Sequence, residues 1–389
     1  MANPKISVVH CVPSLDPGHG GPSRTVVALA DALVRCPGVA VRLLSQRTGD
    51  VPTVPSVEPG VVRSVIGSRY PLAAALGLPL RGALAGGTER AALIHSHGVW
   101  HPANHWATLA ARAWEVPLIV HPRGMLEPWA RGQKALKKRL ALRLFQQADL
   151  DAARALVATS EMEYGNLRRF GLRQPVAVIP NGVDHAVVAT VAPMRQVVER
   201  ERIALFLSRV HPKKGVLELV RAWGLVAPVG WRLRIAGPDE DGHWGEVSRV
   251  VARLGLSSVI DYLGPVADEA KAAQYRAADL FVLPTFSENF GVVVAEALGH
   301  GVPVITTQGS PWADLETYRC GWWIPTGVAP LVAGLRAAMA LTDDERWAMG
   351  ERGRDYVRRF NWDASAAQTL ALYRWVLGRG ERPDWVRVD

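Results

Sequence analysis

Along the chain, apolar residues fall in short unbroken runs separated by stretches with three-to-four spacing. That alternation predicts strands buried on both faces with helices between them. Strand candidates are Ile6–Val12, Val39–Leu44, Ala91–Ser96, Leu118–His121, Ala155–Thr159 and Val176–Ile179. The first runs through SLDPGHGGPSR into a helical stretch at Arg24–Leu33, the opening unit of a doubly wound α/β fold. The phrase VIPNGVDHAVV closes this series, with Asn181-Gly182 as a turn and weak periodicity from His185 to Glu201.

The alternation restarts at Ile203–Leu207, followed by a helix at Val216–Trp223 and strands at Arg232–Ile235, Val259–Tyr262, Leu280–Leu283 and Val302–Thr306. From Asp343 to Leu377 the pattern is helical, with Phe360, Trp362, Leu370, Tyr373 and Trp375 supplying an apolar face. The expected organisation is two Rossmann-like domains, 1–185 and 186–365, and a C-terminal helix and tail, 366–389, returning to the first domain. Two such domains place the carboxyl ends of two parallel sheets across a ligand-binding cleft.

Composition narrows the class without changing it. With 389 residues, 49% hydrophobic and 21% charged, the chain can build packed cores, which excludes disorder, collagen and coiled coil. Its longest apolar candidate, Pro71 to Gly87, is interrupted by Pro79 and Arg81, so no membrane span is expected. The start, MANPKISVVHCVPSL, reads as a first strand and not a secretion signal, which places the protein in the cytoplasm. Cys11, Cys36 and Cys320 have neither disulfide nor metal spacing and read as buried thiols. A net charge of +9 favours an anionic partner: a nucleotide, a phospholipid surface or nucleic acid. The 14 tryptophans suit core filling, ring stacking or a membrane interface.

Two groups of residues carry candidate chemistry. In IALFLSRVHPKKGVLELV, Arg209 ends a strand and Lys214 precedes Gly215 and a helix, a placement suited to a diphosphate and also to a solvated basic loop. In LFVLPTFSENFGVVVAEALGHG, Glu288 lies in a loop and Glu296 on the following helix, so one carboxylate can meet ribose hydroxyls and the other a sugar. Acidic residues near a helix start also serve its dipole. Asp149-Leu150-Asp151 and Asp239-Glu240-Asp241 are acidic patterns in a helix and a surface loop, where carboxylates need no ion. The positive charge is spread along the chain without a nucleic-acid motif, and the first loop lacks the dinucleotide fingerprint.

In this order, GHGGPSR, IPNGVD, SRVHPKKG, IAGPD, DYLGPV and the Glu288–Glu296 pair resemble the retaining glycosyltransferases of family four over nearly the whole chain. The resemblance implies a GT-B fold of two facing Rossmann-like domains, the first binding an acceptor and the second a nucleotide-sugar. It matches Arg209 and Lys214 to the cations that hold the donor diphosphate, Glu296 to the ribose carboxylate and Glu288 to a group beside the transferred sugar. The backbone of Asn289, Phe290, Gly291 and Val292 would approach the sugar and phosphate, and Leu263 and Gly264 fall where the base is held. Gly20 and Gly21 match the loop closing over the phosphate side, and also read as a plain tight turn. His121, or alternatively His97, would lie nearest the reacting sugar, both just after strands at the cleft edge. Arg123 and Glu127 would meet the acceptor or a phosphate.

The implied enzyme needs no metal and no cofactor, the cations taking the metal's role, with a UDP- or GDP-sugar as donor. No acidic or cysteine ligands accompany the histidines, which makes them poor metal ligands. The implied acceptor is a glycan or lipid-linked glycan, and LYRWVLGRGERPDWV resembles members that build bacterial lipopolysaccharide, capsule or exopolysaccharide. No nucleic-acid partner is expected. The segment from Arg131 to Arg143 carries Lys134, Lys137, Lys138 and Arg139 on a helix with Leu136, Leu140 and Leu144. It suits peripheral contact with an anionic membrane, with Trp100, Trp106, Trp114 and Trp129 as anchors, or a charged face over a core stripe. A sugar-nucleotide epimerase of the same fold and a non-catalytic nucleic-acid binder are the rival readings.

Overall fold

Parallel pairing of short apolar strands organises both halves of the chain, described by a computed structural model over residues 5–19, 21–86, 90–184 and 201–388. The first sheet contains β1 (Ile6–Ser14), β2 (Val39–Thr48), β3 (Val61–Ser68), β4 (Leu93–His97), β5 (Leu118–His121), β6 (Ala155–Ala158) and β7 (Val176–Val178). The second contains β8 (Arg202–Leu207), β9 (Trp231–Ala236), β10 (Ile260–Gly264), β11 (Leu280–Leu283), β12 (Val304–Thr307) and β13 (Gly321–Ile324). Every residue of β4, β5, β6 and β11 is buried; β6 and β11 are accordingly apolar throughout, while β4 and β5 also bury His95, Ser96, His97 and His121.

Strand order in the first sheet is β14-β7-β6-β5-β4-β1-β2-β3, with β14 (Val386–Arg387) antiparallel to β7 and the other pairs parallel. In the second it is β10-β9-β8-β11-β12-β13, the doubly wound order counted from β8. The order in which strands are added reverses between β1 and β4 in one sheet and between β8 and β11 in the other, and ligands of such sheets bind at those points.

The chain divides into unit 1, up to Gly182 and again from Trp362, and unit 2, Val183–Asn361. The sequence placed these crossings at 185 and 365, in the first case at the edge of 185–200, which lies outside the described residues. The helix Trp362–Val376 therefore belongs whole to unit 1, packing with the helix Gly21–Arg35 over one face of the sheet. The opposite face is covered by the helices Leu78–Gly86 and Pro102–Trp114. A Cβ on Gly182 would lie 2.4 Å from Trp362 N, so only glycine lets the two stretches of unit 1 meet there. Three strands escape the pattern: β3 leaves Val62 61% exposed at a sheet edge, β14 has two residues, and β13 is partly exposed.

Candidate functional site

In unit 2 the loops after β8 and β11 are laced together at the switch point. Gly215 has φ 71°, and a Cβ there would be 2.2 Å from Pro284 O, so the loops approach this closely only because the residue is glycine. Phe286 N donates to Lys213 O at 2.8 Å, and Thr285 Oγ1 donates to the same oxygen at 3.1 Å. His211 Nδ1 accepts from Lys213 N at 3.0 Å and starts the turn Pro212–Lys214.

This lacing presents Lys214 Nζ to Glu288 Oε2 in an ion pair whose side chains are 8% and 15% exposed. Burial pushes the Glu288 carboxyl upward, but Lys214, Lys213 and Arg209 outweigh it and hold it below its ordinary value. Arg209 Nη1 donates to both Glu240 oxygens, at 2.7 and 2.6 Å. Both cations expected from the sequence thus end at the switch point, each held by a carboxylate; Glu240 was read as a surface acid and was missed as a partner. Asp239 Oδ1 accepts from Trp244 N at 2.9 Å, so two members of that acidic triplet have protein partners. In the other acidic pattern, Asp149 is buried and 2.9 Å from His105 Nδ1.

Beyond Glu288, Gly291 at φ 80° turns the chain into the helix Val292–Gly299. The Phe290 side chain is buried against Trp312 and Phe360, and its carbonyl accepts from Trp312 Nε1 at 2.5 Å. It anchors the loop. On the helix, Glu296 Oε2 accepts from the buried Tyr275 hydroxyl at 2.7 Å, and Tyr275 stacks on His300. Burial and the neighbouring Glu296 raise the Tyr275 phenol well above its ordinary value, so it stays protonated and donates. At the end of β10, Leu263 is 40% exposed and Gly264 O accepts from Gly237 N at 2.7 Å. Tyr262 stacks on Trp244 with centroids 4.0 Å apart. Sequence reasoning missed Tyr275 and Trp244, although each is a large aromatic in a short, largely polar helix.

In unit 1, Gly20 lies outside the described residues, and Gly21 is the first residue of the helix Gly21–Arg35. His97 and His121 end β4 and β5 in register with each other, while His10 on β1 is opposite His95 on β4. The two-residue period of β4 puts His95 and His97 on one face, towards Tyr373 of the helix Trp362–Val376. All four imidazoles are buried, where an open cleft edge was expected for His97 and His121, and His10 and His95 were not expected. Their polar character within apolar strands is the signal that could have found them.

Burial, with the Arg123 charge, lowers every one of these imidazoles, His10 to about 3 and His95, His97 and His121 well below the ordinary value. Arg123, at φ 58°, donates to Thr25 Oγ1 at 3.3 Å and Asn181 Oδ1 at 3.0 Å, and lies 3.1 Å from His97 Nδ1. Burial brings its own pKa down to about 10. Glu127 is buried and its carbonyl accepts from Arg131 N at 2.9 Å. The sequence found no acidic or cysteine companions for the histidines; the fold brings ring nitrogens of His10, His95 and His97 within 4.8 Å of one another.

The basic segment departs from a single helix. It breaks at Gln133 and Lys134, the latter at φ 52°, into Pro128–Gly132 and Ala135–Ala141, followed by a π-helical turn Leu142–Gln146. Leu136, Leu140 and Leu144 are 78%, 59% and 70% exposed, which removes the core-stripe reading. Trp100, Trp106, Trp114 and Trp129 are half-buried. No helix among the described residues is long and apolar enough to cross a membrane.

Residues 20–182 match the family described as "Glycosyl transferase 4-like domain", and residues 201–340 match "Glycosyl transferases group 1". The D-inositol 3-phosphate glycosyltransferase of Kineococcus radiotolerans is 32% identical, the alignment covering 94% of this chain and 93% of that one. Its counterpart in Streptomyces scabiei is 29% identical over 94% and 89% of the two chains. Sucrose-phosphate synthase of Thermosynechococcus elongatus has a similar fold, with a TM-score of 0.77 at 22% identity over 96% and 99% of the chains. HepE of Anabaena, in complex with UDP-glucose, gives 0.71 at 19% identity over 94% and 100%.

Proposed function

The chain belongs to the group 1 glycosyltransferases, with the GT-B fold, and from that premise we propose a retaining, metal-independent transfer of sugar from a UDP- or GDP-sugar to a glycan or lipid-linked glycan of a bacterial surface polysaccharide. The observation that carries this reading is the Lys214–Glu288 pair, with Arg209 nearby, at the β8/β11 switch point of unit 2. Breaking a sugar–diphosphate bond puts negative charge on the leaving group and positive charge on the ring. Fixed cations at the diphosphate lower that barrier, and an anion beside the ring offsets its charge.

In this reading the donor enters by exchange. Its diphosphate takes Lys214 from Glu288 and Arg209 from Glu240, and Glu288, released, stands beside the sugar. Glu296 meets the ribose hydroxyls, and the main chain at Leu263 and Gly264 reads the base. A complex with UDP-glucose in a similar fold, HepE, supports a nucleoside-diphosphate donor.

On the acceptor side, the exposed Leu136, Leu140 and Leu144 among Lys134, Lys137, Arg139 and Arg143 support contact with an anionic bilayer, where lipid-linked acceptors reside. Arg123 and Glu127 of unit 1, with His97 and His121 behind them, are the acceptor-side groups, and the enzyme works in the cytoplasm at the membrane's inner face. A second acceptor, a phosphorylated polyol, is favoured by the names of the curated relatives and by the buried cation Arg123.

The deciding experiment is a thermal-shift panel of UDP, GDP, ADP and CMP with their sugar conjugates, because a ligand of the folded state raises its stability. Mass analysis of products from the stabilising donor, offered a lipid-linked glycan or inositol phosphate, follows. Stabilisation by none of the panel would overturn the donor assignment.

A further inference from the structure

The buried polar side chains at the β1/β4 switch point of unit 1 form one connected line. Arg123 Nη2 lies 3.1 Å from His97 Nδ1, and His97 Nε2 lies 2.8 Å from His10 Nδ1. His10 Nε2 lies 3.2 Å from the Tyr373 hydroxyl, which lies 2.7 Å from His95 Nδ1. Distances alone leave the direction of each bond open, because an imidazole or a hydroxyl can donate or accept.

Arg123 closes that choice. A guanidinium has donors and no acceptor, so His97 Nδ1 is bare and a neutral His97 carries its hydrogen on Nε2. It therefore donates to His10 Nδ1, and His10 in turn carries its hydrogen on Nε2 and donates to the Tyr373 oxygen. The Tyr373 hydroxyl, having accepted, donates to His95 Nδ1 and leaves the last hydrogen on His95 Nε2. Burial beside the Arg123 charge keeps all of these rings neutral.

We propose that Arg123 polarises this line from end to end, holding His97, His10 and His95 in the Nε2–H form, and that the Tyr373 hydroxyl carries the polarisation from His10 to His95. The proposal rests on these contacts and not on the reading of Arg123 as an acceptor-side group.

Two consequences separate this arrangement from others. By distance, His10, His95 and His97 suit a transition metal, but a metal requires bare nitrogens, and in the polarised line His97 Nδ1 is occupied by Arg123 while all three Nε2 atoms carry hydrogen. At the far end, His95 Nε2 has no protein partner among the described residues, and His95 lines a cavity of about 10 Å³. That cavity is also lined by His121, Asn181 and Thr369, and it has room for one water, which would accept from His95. The line is thus a donor chain running from a fixed cation on the β5 loop, through the C-terminal helix, to a one-water pocket.

The test is long-range ¹H–¹⁵N spectroscopy of the full chain labelled at histidine, with rings assigned by single His→Gln changes. Nε2–H forms are expected at His97, His10 and His95 in the unsubstituted protein, without uptake of Zn²⁺. Arg123→Met is expected to admit the Nδ1–H form at His97, and Arg123→Lys, which also only donates, to restore Nε2–H. Tyr373→Phe should shift His95, which loses its donor, and leave the His97 form unchanged; simple packing by Tyr373 would move neither. An Nδ1–H form at His97 or His10, bound Zn²⁺, or an unshifted His95 in Tyr373→Phe would each overturn the proposal. These spectra need no substrate, so they stand apart from the acceptor-side reading, whose failure would show as an acceptor KM unaltered in Arg123→Met.

Discussion

The Tyr275 hydroxyl donates to Glu296 Oε2 across 2.7 Å, committing one oxygen of this carboxylate to the protein. Glu296→Ala should weaken nucleotide binding by roughly 10- to 100-fold, the worth of one or two hydrogen bonds to a charged group. Tyr275→Phe removes only the brace and should cost about two- to tenfold. Calorimetric titration with the nucleoside diphosphate that stabilises the protein measures both, and unchanged affinity in Glu296→Ala would remove its ribose role.

Lys214 and Glu240 make opposite predictions about the same diphosphate. Lys214→Ala should depress turnover by a factor on the order of 10² or more, as expected for loss of a charge that stabilises the leaving group. Glu240→Gln releases Arg209 from a partly exposed ion pair, so nucleotide affinity should rise by up to about fivefold. Near-normal rates in the first variant, or weaker binding in the second, would contradict the exchange of partners.

The histidine cluster makes stability depend on pH with a definite sign. Each folded-state imidazole is lowered below its unfolded value of about 6.5, so below that pH the unfolded chain takes up protons that the folded chain refuses. The stabilisation is complete above about pH 6.5 and drains away as pH falls towards 3, by up to about 1.4 kcal/mol per pH unit for each of the rings. Urea unfolding at pH 7.5, 6.5 and 5.5 should therefore show little change over the first interval and a steep fall over the second; equal stability at the two lower values would mean the rings charge in the folded state.

The exposed leucines predict where the protein meets a bilayer. Sedimentation with vesicles should show binding to anionic lipid that weakens with salt, and little binding to zwitterionic lipid. Changing Leu136, Leu140 and Leu144 together to Ser should abolish binding while leaving the thermal midpoint nearly unchanged, because these side chains are mostly in solvent. Full binding by the triple variant would place the contact elsewhere.

With Arg209 and Lys214 in the role of a divalent cation, turnover should survive excess EDTA. Loss of rate restored by added Mg²⁺ or Mn²⁺ would show that a metal carries the leaving group.

The sequence showed most where a strand is buried on both faces or a loop is punctuated by Gly and Pro. The strands β4, β5, β8 and β11 could be read from their apolar runs, and Arg209, Lys214 and Glu288 stand in loops with Gly215, Pro284 and Gly291 as markers. It showed least where register decides. That His10 lies opposite His95, and His97 opposite His121, follows from strand pairing across dozens of residues, which no local pattern reports. The partners Glu240 and Tyr275 escaped for the same reason, being 31 and 21 residues from the groups they hold. The leucines of the basic segment were legible as a stripe, but the left-handed Lys134 that breaks the helix, and the solvent they face, were not.

Unit 1 is made of two stretches of chain, and that division sets an order of events on the ribosome. Residues up to Gly182 emerge first, yet their sheet ends in a bare β7 edge and their histidines lack the Tyr373 side of their enclosure. Unit 2 is synthesised as one uninterrupted stretch and can close while the first half waits. Only when the helix Trp362–Val376 and the strand Val386–Arg387 follow does unit 1 become complete, so the half of the enzyme that is translated first is the last to mature.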